Sequence, residues 1–335
     1  MKQDKPLVAI VTITFNLMKA GREKYFRQNL ESVRNQTYEK IEHIIIDGAS
    51  TDGTVDLIKE YADKGWIKYI SEPDTGIYDA MNKGVKMAKG KYIAFLNSDD
   101  FYHNPDAVKL SVEALEREQA DFSYADYSAI YDADTRTMKG DINTFLYTMP
   151  FGHPTMFSKV SVIRSENGFN ETYKVAADYD LIVRLILKDY RGIYIDANLM
   201  SFRMVGVCCN VDYSDEIAQI NMKNYAPFYD FIDADQAKRI MFGMIIPEDF
   251  PNKFREFAKK QGLKNINIER VVSLLETKAK EHLQRIDAAA KSEINSTASL
   301  PKNFITKYIR LLLDSRFRQP VRRIYYAIRF KKLSE

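Results

Sequence analysis

The strongest constraint on this chain is an alternation that repeats four times between residues 7 and 100: a short apolar run, a polar turn, then helical spacing. Leu7–Ile13 is apolar and β-branched, Thr14-Phe15-Asn16 turns, and Tyr25–Asn35 has helical periodicity. Ile41–Ile46 gives way to the turn Asp47–Gly53 and a helix over Thr54–Lys64; Ile67–Ile70 leads to the loop Ser71–Gly76 and a helix reaching Ala88. A fourth run, Lys91–Leu96, ends at Asn97-Ser98-Asp99-Asp100. Buried strands separated by helices pair in parallel, so the expected class is α/β: a doubly wound, mostly parallel sheet flanked by helices. Ligands of such sheets sit outside the carboxyl ends of the strands, where each of these polar clusters falls.

From about Asp121 the pattern changes to shorter strands and irregular segments, through Phe151-Gly152-His153-Pro154 and a helix over Asp178–Lys188 to a strand over Gly192–Ile195. After Tyr213 it becomes helical, with an amphipathic run from Ile268 to Ala288 carrying Val271, Val272, Leu275, Leu283 and Ile286 on one face. Ser292–Lys302 reads as a linker, and residues 304–333 mix aromatic and aliphatic side chains with many Arg and Lys. No run approaches the roughly 20 apolar residues needed to span a bilayer. The two cysteines, Cys208 and Cys209, are adjacent and cannot join distant segments, which fits a reducing compartment. A net charge of +3 gives no reason to expect a nucleic-acid partner.

Several residues at the strand ends have the chemistry of a site. Asp99 and Asp100 are adjacent acids at the edge of a rigid strand; a shared divalent cation, Mg2+ or Mn2+, keeps both ionised, although a solvated turn before Asn104-Pro105 explains them too. Asp47 ends a buried strand and is either a ligand acceptor or a turn former before Gly48. The segment Gly48–Gly53 has neither the Walker spacing nor the dinucleotide G-x-G-x-x-G.

Taken together and in order, Val11-Thr12-Ile13-Thr14-Phe15-Asn16, Ile46-Asp47-Gly48-Ala49-Ser50-Thr51-Asp52-Gly53-Thr54, Ser71–Gly84 and Phe95-Leu96-Asn97-Ser98-Asp99-Asp100 resemble the family 2 glycosyltransferases of GT-A fold. The likeness covers roughly residues 7–205 and is greatest to the bacterial branch that builds capsule, colanic-acid and O-antigen repeats. It implies an inverting transfer from a nucleotide diphosphate sugar, most often UDP-linked, to a hydroxyl of a saccharide or lipid-linked saccharide. On this resemblance Thr14, Asn16 and Asp47 match nucleotide contacts, and Asp79, Asn82 and Lys83 lie in the segment lining sugar and diphosphate. Where many relatives carry Arg before that Asn, this chain has Met81, and Lys83 is the substitute charge. The D-x-D metal motif is read as Asn97-Ser98-Asp99 followed by Asp100, with an amide replacing its first carboxylate. Asp178 matches the general base and Asp180 is its fallback, although an acid in the first turn of a helix also suits the helix dipole. His153 resembles a residue beside the acceptor pocket, and Arg203 either leans toward the diphosphate or forms a surface ion pair.

The expected organisation is a transferase domain over 1–212, divided near 120 into nucleotide-sugar and acceptor halves, then a helical extension over 213–292, a linker over 293–303 and a basic amphipathic tail over 304–335. That tail suggests peripheral contact with the inner face of the plasma membrane, in a cytoplasmic protein. The helix from Ile268 also suits a homodimer. Two other readings are a sugar-phosphate nucleotidylyltransferase, whose N-terminal glycine-rich loop is not evident after Ile13, and a membrane-binding scaffold without catalysis.

Overall fold

A computed structural model describes residues 5–131, 134–204, 211–243 and 245–296. The basic tail over 304–335, most of the linker and the two cysteines lie outside the described residues. Eight strands form one sheet: β1 (Val8–Thr14), β2 (Ile41–Asp47), β3 (Lys68–Ser71), β4 (Tyr92–Phe95), β5 (Phe122–Ile130), β6 (Thr135–Met138), β7 (Phe157–Lys159) and β8 (Gly192–Arg203). Their order is β3-β2-β1-β4-β7-β5-β6, with β8 on the other edge of β5. The first four pair in parallel, as the alternation requires, whereas β7 runs antiparallel between β4 and β5. The sequence did not show that inversion, because β7 has only three residues.

Register explains how helices cover both faces. Val8, Ile10, Tyr92, Ala94 and Leu96 lie in one core with Val108, Val112 and Leu115 of α4 (Ala107–Glu118). Ile45, on the same face, packs with α1 (Glu23–Arg34) through Phe26 and Leu30 and with α2 (Thr54–Asp63) through Leu57, Ile58 and Tyr61. Successive strand residues alternate faces, so Val11 points oppositely and meets α3 (Ile77–Met87). Gly84 makes that approach possible: a Cβ there would lie 2.4 Å from Val11 Cγ1.

The second half adds α5 (Val160–Ser165), α6 (Ala177–Leu187), α7 (Ser214–Tyr225), α8 (Ala234–Ile240), α9 (Phe250–Gln261) and α10 (Ile268–Ser296). Two expectations are corrected. β8 continues eight residues beyond Ile195, because its register against β5 is recovered after irregularities near Asp126. α10 runs to Ser296, so the segment expected to open a linker at 293 is helical there. One compact unit covers Met1–Glu276, which places α7, α8 and α9 with the sheet rather than in a separate extension; Val271, Val272 and Leu275 of α10 are buried within it. Thr277–Glu335 forms the other unit. Among the described residues no helix is long and apolar enough to cross a membrane.

Candidate active site

Thr14 and Asp47 are register partners at the ends of β1 and β2, which is why they meet. Asp47 is fully buried. Its Oδ1 accepts from Thr14 Oγ1 at 3.0 Å and Ser50 Oγ at 2.6 Å, and its Oδ2 from Ser50 N at 2.9 Å and Ser71 Oγ at 2.8 Å. Asn16, in the left-handed region at φ 46, receives Thr51 N on its Oδ1 at 3.0 Å. Thr14, Asn16 and Asp47 are therefore brought together. The Asp47 carboxylate accepts four hydrogen bonds from the protein and so ties the strand-end loops to one another. The sequence reading overlooked Phe15, whose ring is 63% exposed beside Thr14 and near Gly48. An aromatic left open at a strand end was its only signal.

The segment after β3 is similarly braced. Asp79 Oδ2 accepts Thr75 N at 2.9 Å, and Lys83 Nζ donates to Pro73 O at 2.6 Å while pairing with Glu72 at 3.1 Å. Asn82 is corrected. Its Nδ2 donates to Phe169 O at 2.9 Å and Glu171 Oε1 at 2.8 Å, and its Oδ1 accepts Phe169 N at 2.9 Å. The amide thus clasps a distant loop, and Gly168, at φ +67, leaves room for it.

At the end of β4, Asn97 Nδ2 donates to Asp100 Oδ2 at 2.9 Å, and Arg203 N to Asp100 Oδ1 at 2.9 Å. Asn29 Nδ2 secures the turn through the carbonyls of Asn97 (2.8 Å) and Asp100 (3.0 Å). Burial and the neighbouring charge of Asp99 push Asp100 well above the usual carboxylate range. Asp99 differs: its Oδ2 is buried and makes no hydrogen bond, facing Arg22 Nη1 at 3.3 Å. Asp99 thus faces a cation, the Arg22 guanidinium, while Asp100 fixes the turn. Among the described residues no group of three or more His, Cys, Asp or Glu is placed to hold a metal ion. Arg203 is engaged by the protein's own groups. Its guanidinium lies over Tyr25 at 4.2 Å and Phe101 at 4.9 Å, donates to Asp99 O, and reaches Gln28 Oε1 at 2.6 Å.

Asp178 stands in the first turn of α6, half-buried; its Oδ1 accepts Tyr179 N at 2.9 Å and the Tyr78 hydroxyl at 3.1 Å. His153 is buried, stacked on Phe95 at 5.5 Å and edge-on to Phe169 at 5.5 Å. Burial lowers its pKa, with the charge of Asp178 partly opposing the shift, so the ring is neutral at pH 7. Through Phe95, which ends β4, His153 packs beside the strand that leads into the Asp99 turn. Asp180, the fallback base, is corrected: it is fully buried, bound by Arg184 Nε at 2.8 Å and Asn224 Nδ2 at 3.0 Å. It lines an open polar groove of about 790 Å³ with Asn82, Glu171 and Arg184, and neither Asp99 nor Asp178 reaches that groove.

The chain is similar to known proteins in sequence and in fold. The family model described as Glycosyl transferase family 2 matches residues 9–182. An uncharacterized glycosyltransferase of Mycobacterium tuberculosis is 32% identical over 188 residues, 54% of this chain and 70% of its own length. Chondroitin synthase of Escherichia coli is 31% identical over 188 residues, 54% of this chain and 26% of its own. Among solved structures, S. aureus TarS 1-349 in complex with UDP-GlcNAc aligns with a TM-score of 0.57 at 15% identity, covering 86% of this chain and 92% of that one. The mannosyltransferase PcManGT from Pyrobaculum calidifontis, in complex with GDP-Man and Mn2+, aligns with a TM-score of 0.54 at 15% identity, covering 97% and 85%. These likenesses are of fold.

Proposed function

The chain belongs to glycosyl transferase family 2, and from that premise we propose an inverting transfer of a sugar from a nucleoside diphosphate sugar to a hydroxyl of a saccharide or lipid-linked saccharide. The reading is carried by two carboxylates in unlike settings, Asp99 in the turn after β4 and Asp178 in the first turn of α6. Asp99 has a buried oxygen that makes no hydrogen bond and is paired with Arg22 at 3.3 Å, and Asp178 stands half-buried at a helix start. Asp178 takes the proton of the acceptor hydroxyl as that oxygen forms its bond to the anomeric carbon. The bond from that carbon to the diphosphate breaks on the opposite face, which inverts the configuration. Asp99 would hold a divalent ion, which when bound would supply positive charge to the departing diphosphate. Arg203, Asn29 and Asp100 hold the turn that presents Asp99, and buried His153 packs on Phe95 and Phe169.

UDP is the favoured nucleotide on the resemblance of the strand-end motifs. TarS was solved with UDP-GlcNAc and PcManGT with GDP-Man and Mn2+, so both bases belong in the test. The exposed ring of Phe15 offers a face for the base. Surface-polysaccharide assembly, cytoplasmic placement and attachment of residues 304–333 to an anionic membrane complete the proposal. Family membership argues against the nucleotidylyltransferase reading. Calorimetric titration with UDP and GDP, with and without Mn2+, tests the donor site. Binding is expected to depend on the ion and to weaken roughly 100-fold in Asp99→Ala. Absence of nucleotide binding under every condition would favour the scaffold reading.

A further inference from the structure

The segment that delivers Asp178 is held by a residue beyond the family-matched span. Glu216, in the first turn of α7, directs its carboxylate at three successive backbone amides: Oε1 accepts Lys174 N at 2.6 Å, and Oε2 accepts Val175 N at 3.0 Å and Ala176 N at 3.0 Å. Ala176 is the N-cap of α6, so the Glu216 carboxylate holds the cap residue and the two residues leading into the helix. The same stretch is gripped by α3, because the Tyr78 hydroxyl lies 2.6 Å from Val175 O and 3.1 Å from Asp178 Oδ1. Two more contacts tie α7 to α6: Asn224 Nδ2 donates to Asp180 Oδ1 at 3.0 Å, and the hydroxyls of Tyr225 and Tyr179 are 2.9 Å apart.

We infer that Glu216 is a positioning residue for the base: by fixing the amides of residues 174–176 it sets where Asp178 stands relative to the acceptor hydroxyl. The inference rests on the reading of Asp178 as the base. A carboxylate is required because all three partners are donors. A glutamine in its place would turn an NH2 group toward at least one backbone N–H. Displacement of a catalytic group by about 1 Å costs on the order of 100-fold in rate, so a local error here appears as lost turnover rather than lost donor binding.

The test uses the full chain, with Mn2+ and a panel of UDP- and GDP-sugars, reading nucleoside diphosphate release for wild type, Glu216→Gln, Asp178→Asn and the double variant. Glu216→Gln is expected to lower kcat roughly 10- to 100-fold while the calorimetric affinity for the nucleoside diphosphate stays at the wild-type value. Because Glu216 acts through Asp178, the double variant should be no slower than Asp178→Asn. Multiplying losses in the double variant, or wild-type turnover in Glu216→Gln, would overturn the inference while leaving the base in place. Wild-type turnover in Asp178→Asn would instead overturn the base and this inference with it. A readout free of substrate is amide hydrogen exchange, which should accelerate at residues 174–176 and on through Asp178 and Tyr179; acceleration that stops before Asp178 counts against the inference. If Glu216→Gln does not fold, Glu216→Asp, which keeps the charge one methylene short, is read by the same measurements.

Discussion

The two carboxylates of the site are held in different ways. Asp99 sits in a turn that directly continues a buried strand, and the groups bracing it come from β1, α1 and the end of β8. Asp178 sits on a helix fixed by side chains from α3 and α7. The donor side is thus built around contiguous motifs at parallel strand ends, whereas the base side is assembled from pieces far apart in the chain. The first arrangement makes a rigid receptacle; the second makes the reacting group answerable to several elements at once.

If this contrast is sound, Asp178→Asn is the largest single loss. Turnover should fall roughly 100- to 10,000-fold while calorimetry shows nucleoside diphosphate binding undiminished; a matching loss of binding would merge the two sides. Next comes the rigidity of the donor side. Gly84→Ala places a methyl 2.4 Å from Val11 Cγ1, and should cost about 1–3 kcal/mol in urea unfolding, with no loss if α3 can simply move away.

A smaller effect concerns pH. Burial lowers His43 from 6.5 to about 3, so the folded protein keeps it neutral while the unfolded chain binds a proton below pH 6.5. Its contribution is therefore complete above pH 6.5 and is lost as pH falls from there toward 3, amounting to about 2 kcal/mol by pH 5. Urea midpoints at pH 7.5 and 5 should differ in wild type and converge in His43→Gln, which keeps a polar group near Thr12 Oγ1, now 3.0 Å away. Equal pH sensitivity in both would place the acid-labile element elsewhere.

The same contrast explains what could be read in advance. β1 to β4 and their turns were legible because an apolar run followed by a polar cluster is a local pattern, and local patterns survive in sequence. Asp178 was legible only through family resemblance, since an acid opening a helix is common. The internal bonds of Asp47 were not legible because its partners Ser50 and Ser71 belong to different loops and nothing in the sequence shows them converging. Arg203 was open to a lean toward the diphosphate or a surface ion pair because β8 was taken to end at Ile195; the longer strand carries it to the Asp99 turn and over the rings of Tyr25 and Phe101. Glu216 gave no signal, as its partners lie about forty residues away and are backbone amides that any sequence possesses.

Closure of the compact unit at Glu276 bears on how such chains can be recombined. A chimera spliced at residue 182, where the family match stops, or at 212, where the sheet domain was expected to end, would keep every strand-end motif yet leave the amides of residues 174–176 without the acceptor that α7 provides. A graft that respects the architecture carries the helices through α9 along with the sheet. Specificity would then be exchanged between relatives in modules larger than their shared sequence, with the junction chosen by hydrogen-bond closure rather than by similarity.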